Sequence, residues 1–299
     1  MNVADYLLHN IIPHKTAIIT ENSSHNYAEI VDAVNGMAHI LRNLGVQKGD
    51  RVGIFADNSL FWVASYIGIM KTGAVAVPFY PTLELRQFAD LVALTGPRVF
   101  CVQAKYLRRY ADHYPADAPL VVENAAVAAR YKDCFTVVVH RPGEPVESIP
   151  VDDRTDLAAL MFTSGSTGTP RGVMVSHRNI IANTDSIIEY LELDADERIM
   201  DVLPFYYCFG TSLLHTHLRV GGSLVVNNRF AFTAAVLDQM EATACTGMAG
   251  VPSTYQILLR NSSFPRRQFP RLRKIQQAGG KLPNVYIQEL RQAHPDAIY

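Results

Sequence analysis

The sequence predicts an α/β fold, with stacked parallel-sheet subdomains covered by helices. Three observations point to it. Short apolar runs alternate with segments of helical period along most of the 299 residues. The clearest run, Leu157–Phe162, is nearly continuous rather than alternating, as expected for a strand buried on both faces. Hydrophobic residues make up 48% of the chain, enough for a large core in one domain or two lobes.

Taken in order, Thr16–Thr20 reads as a strand. Asn26 then caps a helix, with Glu29 at capping-box spacing. Ile30, Val34, Met37, Ile40, Leu41 and Leu44 recur at helical period, and Gly45 ends the helix. Arg51–Ala56 is a strand, Ser59–Thr72 a helix, and Ala74–Phe79 a strand stopped by Pro81. Thr82 caps the next helix, and Val99–Val102 is again a strand. This β-α-β-α rhythm is that of a parallel sheet with helices on both faces. From about Ala111 to Val151 the pattern is less regular, with strands at Leu120–Glu123 and Thr136–His140 and a turn over 141–145. The alternation resumes at Leu157 and runs to the end.

Composition excludes several classes. A formal net charge of −1 leaves no basic stripe for nucleic acid. Cys101, Cys134, Cys208 and Cys245 form neither a C-x-x-C pair nor a zinc spacing, as expected for reduced, mostly buried thiols of a cytoplasmic protein. The first 15 residues lack a signal-peptide pattern. The longest apolar run, around Phe61 to Met70, falls short of the ~20 residues that span a bilayer. His215 and His217 form an H-x-H pair without further ligands of metal spacing, so they read as helix-packing or surface residues. His177 reads as the start of a helix, with no catalytic role.

The segment most suited to chemistry follows Leu157–Phe162. It reads Thr163, Ser164, Gly165, Ser166, Thr167, Gly168, Thr169, Pro170, Arg171, Gly172. Its glycines let backbone approach a ligand without Cβ clashes, its hydroxyls donate, and Arg171 adds positive charge. Together these suit a polyphosphate. The segment is neither a Walker A motif nor G-x-G-x-x-G, because no Lys-Ser or Lys-Thr follows its second glycine.

Residues 163–173, TSGSTGTPRGV, resemble the phosphate-binding signature T-S-G-[ST]-T-G-x-P-K-G-V of the adenylate-forming superfamily, with Arg171 in place of the usual lysine. That superfamily comprises acyl-CoA synthetases, peptide-synthetase adenylation domains and luciferases. Further segments resemble it in the same order: Gly45–Val52, Met70–Pro78, Leu203–Gly210, Val251–Thr254 and Ala278–Leu282. The likeness covers nearly the whole chain, which resembles an amino-terminal fragment of an AMP-forming acyl-CoA ligase.

The resemblance implies that a carboxylate attacks the α-phosphate of ATP, pyrophosphate leaves, and the acyl-adenylate passes its acyl group to a thiol of CoA or of a carrier protein's phosphopantetheine. Thr163 to Gly168 and Arg171 would hold the β- and γ-phosphates. Tyr207 would close over the α-phosphate and carboxylate. Gly279 and Gly280 would pass against the adenine, and Val251, Thr254 and Tyr255 would line the acyl pocket. Cys208 occupies the position where amino-acid-activating members carry an Asp, which implies a fatty or aryl acid rather than an α-amino acid. Asp201, upstream, could take over amine recognition.

The resemblance also implies a division. One sheet subdomain covers about 49–178, and a second is built from about 1–48 plus 179–299. The family's next signature, Y-G-x-T-E, whose Glu helps hold Mg²⁺, lies beyond Tyr299, as do the ribose-binding Asp and the mobile C-terminal lobe. No metal ligand is therefore expected in these residues, and the isolated chain is expected to be inactive. A natural short form with a binding or regulatory role stands as the alternative.

Overall fold

A computed structural model of the chain describes residues 1–130, 134–136, 144–163 and 171–299. In chain order the first elements are α1 (Val3–Leu7), β1 (Thr16–Ile19), β2 (Ser24–Asn26), α2 (Tyr27–Asn43), β3 (Arg51–Phe55) and α3 (Leu60–Lys71). There follow β4 (Val75–Pro78), α4 (Leu85–Thr95), β5 (Val99–Val102), β6 (Leu120–Val122), α5 (Ala125–Ala128) and β7 (Cys134–Thr136). Next come β8 (Leu157–Thr163), β9 (Arg171–Ser176), α6 (His177–Leu191), β10 (Arg198–Asp201), α7 (Cys208–Val220) and β11 (Ser223–Val226). The last are α8 (Thr233–Ala242), β12 (Gly247–Gly250), α9 (Pro252–Asn261), β13 (Lys274–Gln277) and α10 (Asn284–Ala293).

The chain forms two compact units. Met1–Lys15 and Asn26–Ser186 make the first, Thr16–His25 and Ile187–Tyr299 the second. This places α2 in the first unit, not with the end of the chain as the resemblance implied. The reason is packing: α2 lies on α3, where Gly68 leaves room for Met37. A Cβ on Gly68 would sit 2.8 Å from Met37 Cγ.

The first unit holds a seven-stranded sheet in the order β7-β6-β5-β3-β4-β8-β9. It is parallel except for the antiparallel pair β8/β9. In its centre Gly53 of β3 sits between Val77 of β4 and Phe100 of β5. An aromatic cluster of Phe55, Phe79, Phe88, Phe100 and Tyr110 packs on it, with the Phe55 and Tyr110 ring centres 4.5 Å apart. The predicted capping box is present: Asn26 Oδ1 accepts the Glu29 N–H, and the Glu29 carboxylate accepts the Asn26 N–H, at 2.9 and 2.8 Å. The fourth helix starts later than expected, at Leu85 instead of after Thr82, because the chain after Pro81 turns once more and Gln87 Oε1 takes the Glu84 N–H at 3.2 Å. The strand expected at Thr136–His140 overlaps β7 only at Thr136, and residues 137–140 lie outside the described ones.

The second unit holds a six-stranded sheet in the order β13-β12-β10-β11-β1-β2. The pairs β13/β12, β12/β10, β10/β11 and β11/β1 are parallel. Met200, Val225, Met248, Tyr255 and Phe264 belong to its core. At the amino ends of the strands the buried Glu197 carboxylate accepts the Thr246 hydroxyl at 2.6 Å and pairs with Lys274, with Arg273 at 3.4 Å.

Among the described residues no helix is long and apolar enough to cross a membrane. Cys101 and Cys245 are buried, as expected, whereas Cys208 is exposed.

Candidate functional site

In the first unit β8 and β9 form a hairpin that brings Thr163 opposite Arg171 and Phe162 opposite Gly172. The described ends of the Gly-rich segment, Thr163 and Arg171, are therefore paired across the two strands. Ser164, Gly165, Ser166, Thr167 and Gly168 lie outside the described residues, as does the Thr163 side chain. Arg171 opens β9 and is exposed. The end of β8 is fixed from below: the Tyr80 hydroxyl donates to the Phe162 carbonyl at 2.5 Å, and the Phe162 ring packs on Phe79 at 5.9 Å.

In the second unit the remaining site residues follow the carboxyl ends of neighbouring parallel strands. Tyr207 follows β10, Val251 follows β12, and Gly279 and Gly280 follow β13. The chain goes from β10 to β11 on one side and returns to β12 on the other, so the carboxyl end of β10 is a topological switch point, where open α/β sheets bind ligands. Gly279 has φ +82°, which favours glycine, and a Cβ there would lie 3.2 Å from Val251 Cγ1. The turn after β13 and the start of α9 are thus in contact.

Tyr207 precedes α7 and is 41% exposed, with the Tyr206 ring centre 4.7 Å from its own. Cys208 is the first residue of α7. Thr254 and Tyr255 are buried. The Thr254 hydroxyl accepts the Val251 N–H at 3.3 Å, and the Tyr255 hydroxyl donates to the Gln276 carbonyl at 2.6 Å. Both brace the ends of β12 and β13 from the core side.

Three buried histidines are structural. Val3 N–H donates to His177 Nδ1 at 3.1 Å, which fixes the neutral ring and ties α1 to the start of α6. Burial lowers His177 to about 4 and His215 to about 3. It lowers His217 to about 4, and His217 Nδ1 lies 2.9 Å from the Leu213 carbonyl oxygen. His215 and His217 are thus packing residues of α7, the first of the two alternatives left open by their H-x-H spacing. Among the described residues no group of three His, Cys, Asp or Glu could hold a metal ion.

Asp201 ends β10 fully buried, and its Oδ1 accepts the Leu203 N–H at 2.9 Å. Burial raises its carboxyl to about 8, so it is largely protonated at neutral pH.

Two mainly parallel sheets flanked by helices make this an α/β fold of the kind found in adenylate-forming enzymes. The chain belongs to the AMP-binding enzyme family, whose profile matches residues 11–299. It is 28% identical over 273 residues to a feruloyl-CoA synthase of Amycolatopsis sp, covering 91% of this chain and 52% of that protein. It is 28% identical over 287 residues to tyrocidine synthase 3 of Brevibacillus parabrevis, covering 95% of this chain and 4% of that one. The chain thus spans about half or less of the length of these relatives. In fold it resembles the anthranilate CoA ligase AuaEII, solved with anthranoyl-AMP. The TM-score is 0.88 at 22% identity, over 98% of this chain and 58% of that one.

Proposed function

We propose that this chain carries the ATP-phosphate and acid-recognition segments of an AMP-forming ligase that activates a fatty or aryl acid. A carboxylate oxygen attacks the α-phosphorus of ATP, the bond to the β-phosphate oxygen breaks, and pyrophosphate departs with the negative charge. A thiol of CoA or of a carrier protein's phosphopantetheine then attacks the acyl carbon, and AMP leaves. The first step needs no protein nucleophile. It needs amides, hydroxyls and a cation against the departing pyrophosphate, which residues 163–171 supply.

The observation that carries this reading is the family signature at residues 163–173, whose described ends Thr163 and Arg171 pair across β8 and β9. Substrate class rests on Cys208 and Asp201. Cys208, not a carboxylate, follows Tyr207, and Asp201 is buried with its Oδ1 engaged by the Leu203 N–H, so neither is offered to an α-ammonium. An ammonium left unpaired in a closed site would cost several kcal/mol. Mg²⁺ belongs to the family reaction, but the described residues supply no cluster for it, and no step here is assigned to it.

The test is ATP–pyrophosphate exchange by the full-length gene product over fatty, aryl and amino acids. Exchange with fatty or aryl acids is expected, and absence of acid-dependent exchange, or preference for an α-amino analogue, would refute the reading.

A further inference from the structure

The loop from β10 to α7 is held at three points. At its start, the buried Asp201 carboxyl takes the Leu203 N–H at 2.9 Å. In its middle, α7 approaches so closely that a Cβ on Gly210 would lie 2.3 Å from the Pro204 carbonyl oxygen. At its end, the Thr211 hydroxyl lies 2.8 Å from the Tyr207 carbonyl oxygen and 3.1 Å from the Phe205 carbonyl oxygen. The Tyr207 N–H in turn donates to the Pro204 carbonyl at 3.1 Å.

A Thr hydroxyl bonded four residues back is commonplace in helices. Thr216 and Thr243 of this chain do the same, to Ser212 and Gln239. Thr211 differs because it also reaches a carbonyl outside the helix, that of Phe205, whose ring is fully buried. The hydroxyl of Thr211, a residue only 3% exposed, therefore joins the anchored part of the loop to the backbone of Tyr207, while Tyr207 itself stays exposed. Such a support fixes the backbone that carries an aromatic ring without touching the ligand itself.

We infer that Thr211 is a positioning residue that sets Tyr207 against the substrate carboxylate, with Asp201 and Gly210 fixing the start and middle of the same loop. The inference rests on the role proposed for Tyr207.

The test uses Thr211→Val, which keeps the branched shape and removes the hydroxyl, and Thr211→Ser, which keeps the hydroxyl. Acid-dependent pyrophosphate exchange and thermal unfolding are measured on the full-length gene product. Thr211→Val should lower kcat about tenfold to a hundredfold with the KM for ATP unchanged, and Thr211→Ser should restore it. In the Tyr207→Ala background, Thr211→Val should have no further effect. Should Thr211→Val fail to fold, Thr211→Ala is measured in the same way.

A variant that melts earlier yet keeps wild-type kcat would reduce Thr211 to a structural residue and overturn the inference. So would failure of Thr211→Ser to restore the rate, or additive effects with Tyr207→Ala. Absence of acid-dependent exchange in the wild-type gene product would overturn the proposed function and this inference with it. Normal wild-type exchange with unaffected Thr211 variants would overturn the inference alone.

Discussion

Gly210→Ala should destabilise the chain even though alanine is the better helix former. The added Cβ would lie 2.3 Å from the Pro204 carbonyl oxygen, 2.7 Å from its carbon and 2.9 Å from the Leu203 carbonyl oxygen. All three are backbone atoms, so no rotamer change relieves them. Loop and helix must part by roughly 1 Å, an overpacking that costs about 1–3 kcal/mol. Helix propensity returns about 1 kcal/mol. With three backbone clashes at once the cost sits in the upper half of its range, so the net loss is ~1–2 kcal/mol. Gly36→Ala in α2 is the matched control, because nothing lies within 4 Å of its Cβ position. Only propensity acts there, and a gain of about 0.5–1 kcal/mol is expected. Urea unfolding of the 299-residue chain, followed by circular dichroism, measures both. A Gly210→Ala midpoint at or above wild type would refute the reasoning. So would a Gly36→Ala midpoint that falls as far as that of Gly210→Ala.

Further expectations concern charge and the phosphate loop. Glu197→Gln leaves Lys274 without its buried partner and should cost about 3–5 kcal/mol in urea unfolding, and a loss below about 1 kcal/mol would contradict the assignment. His177, His215 and His217 stay neutral in the fold while the unfolded chain takes up their protons near pH 6.5. Their contribution is therefore level above pH 6.5 and is lost as pH falls toward 4, so urea midpoints should drop from pH 7 to pH 5, and a flat profile would refute this. Asp201 acts with opposite sign: its raised carboxyl contributes stability below about 3.8 that is lost as pH rises through about 8, so the gain from Asp201→Asn should be larger at pH 8 than at pH 5. In the full-length gene product Arg171→Ala should lower ATP-dependent turnover about 10²-fold and Gly168→Val more, and wild-type ATP dependence in both would remove the phosphate-loop assignment.

Much of the fold was legible because local chemistry and tertiary packing agree. The Asn26–Glu29 box forms as spaced, and Ile30, Val34, Met37 and Leu41 of the predicted stripe are buried. The antiparallel direction of β9 was not legible, since an apolar run reads the same in either direction. The placement of α2 was missed because its partner, Gly68, is silent in a hydrophobicity pattern. His215 and His217 were ambiguous because a neutral imidazole beside a helix carbonyl packs like an apolar ring. The candidate site was chosen from glycines and aromatic residues that resemble family segments, and residues 164–168 of it lie outside the described ones. Thr211 was not, because a hydroxyl inside a helix gives no hint that it reaches beyond the helix to Phe205.

The central claim is adenylation of a carboxylic acid, and oxygen labelling tests it most directly. The full-length gene product is supplied with ATP, a thiol acceptor and a fatty or aryl acid carrying ¹⁸O in its carboxylate, and the products are analysed by mass spectrometry. Attack at the α-phosphorus followed by thiol capture leaves one carboxylate oxygen on AMP, so labelled AMP with unlabelled pyrophosphate is expected. Label in inorganic phosphate, with ADP as the nucleotide product, would mean attack at the γ-phosphorus and would contradict the account.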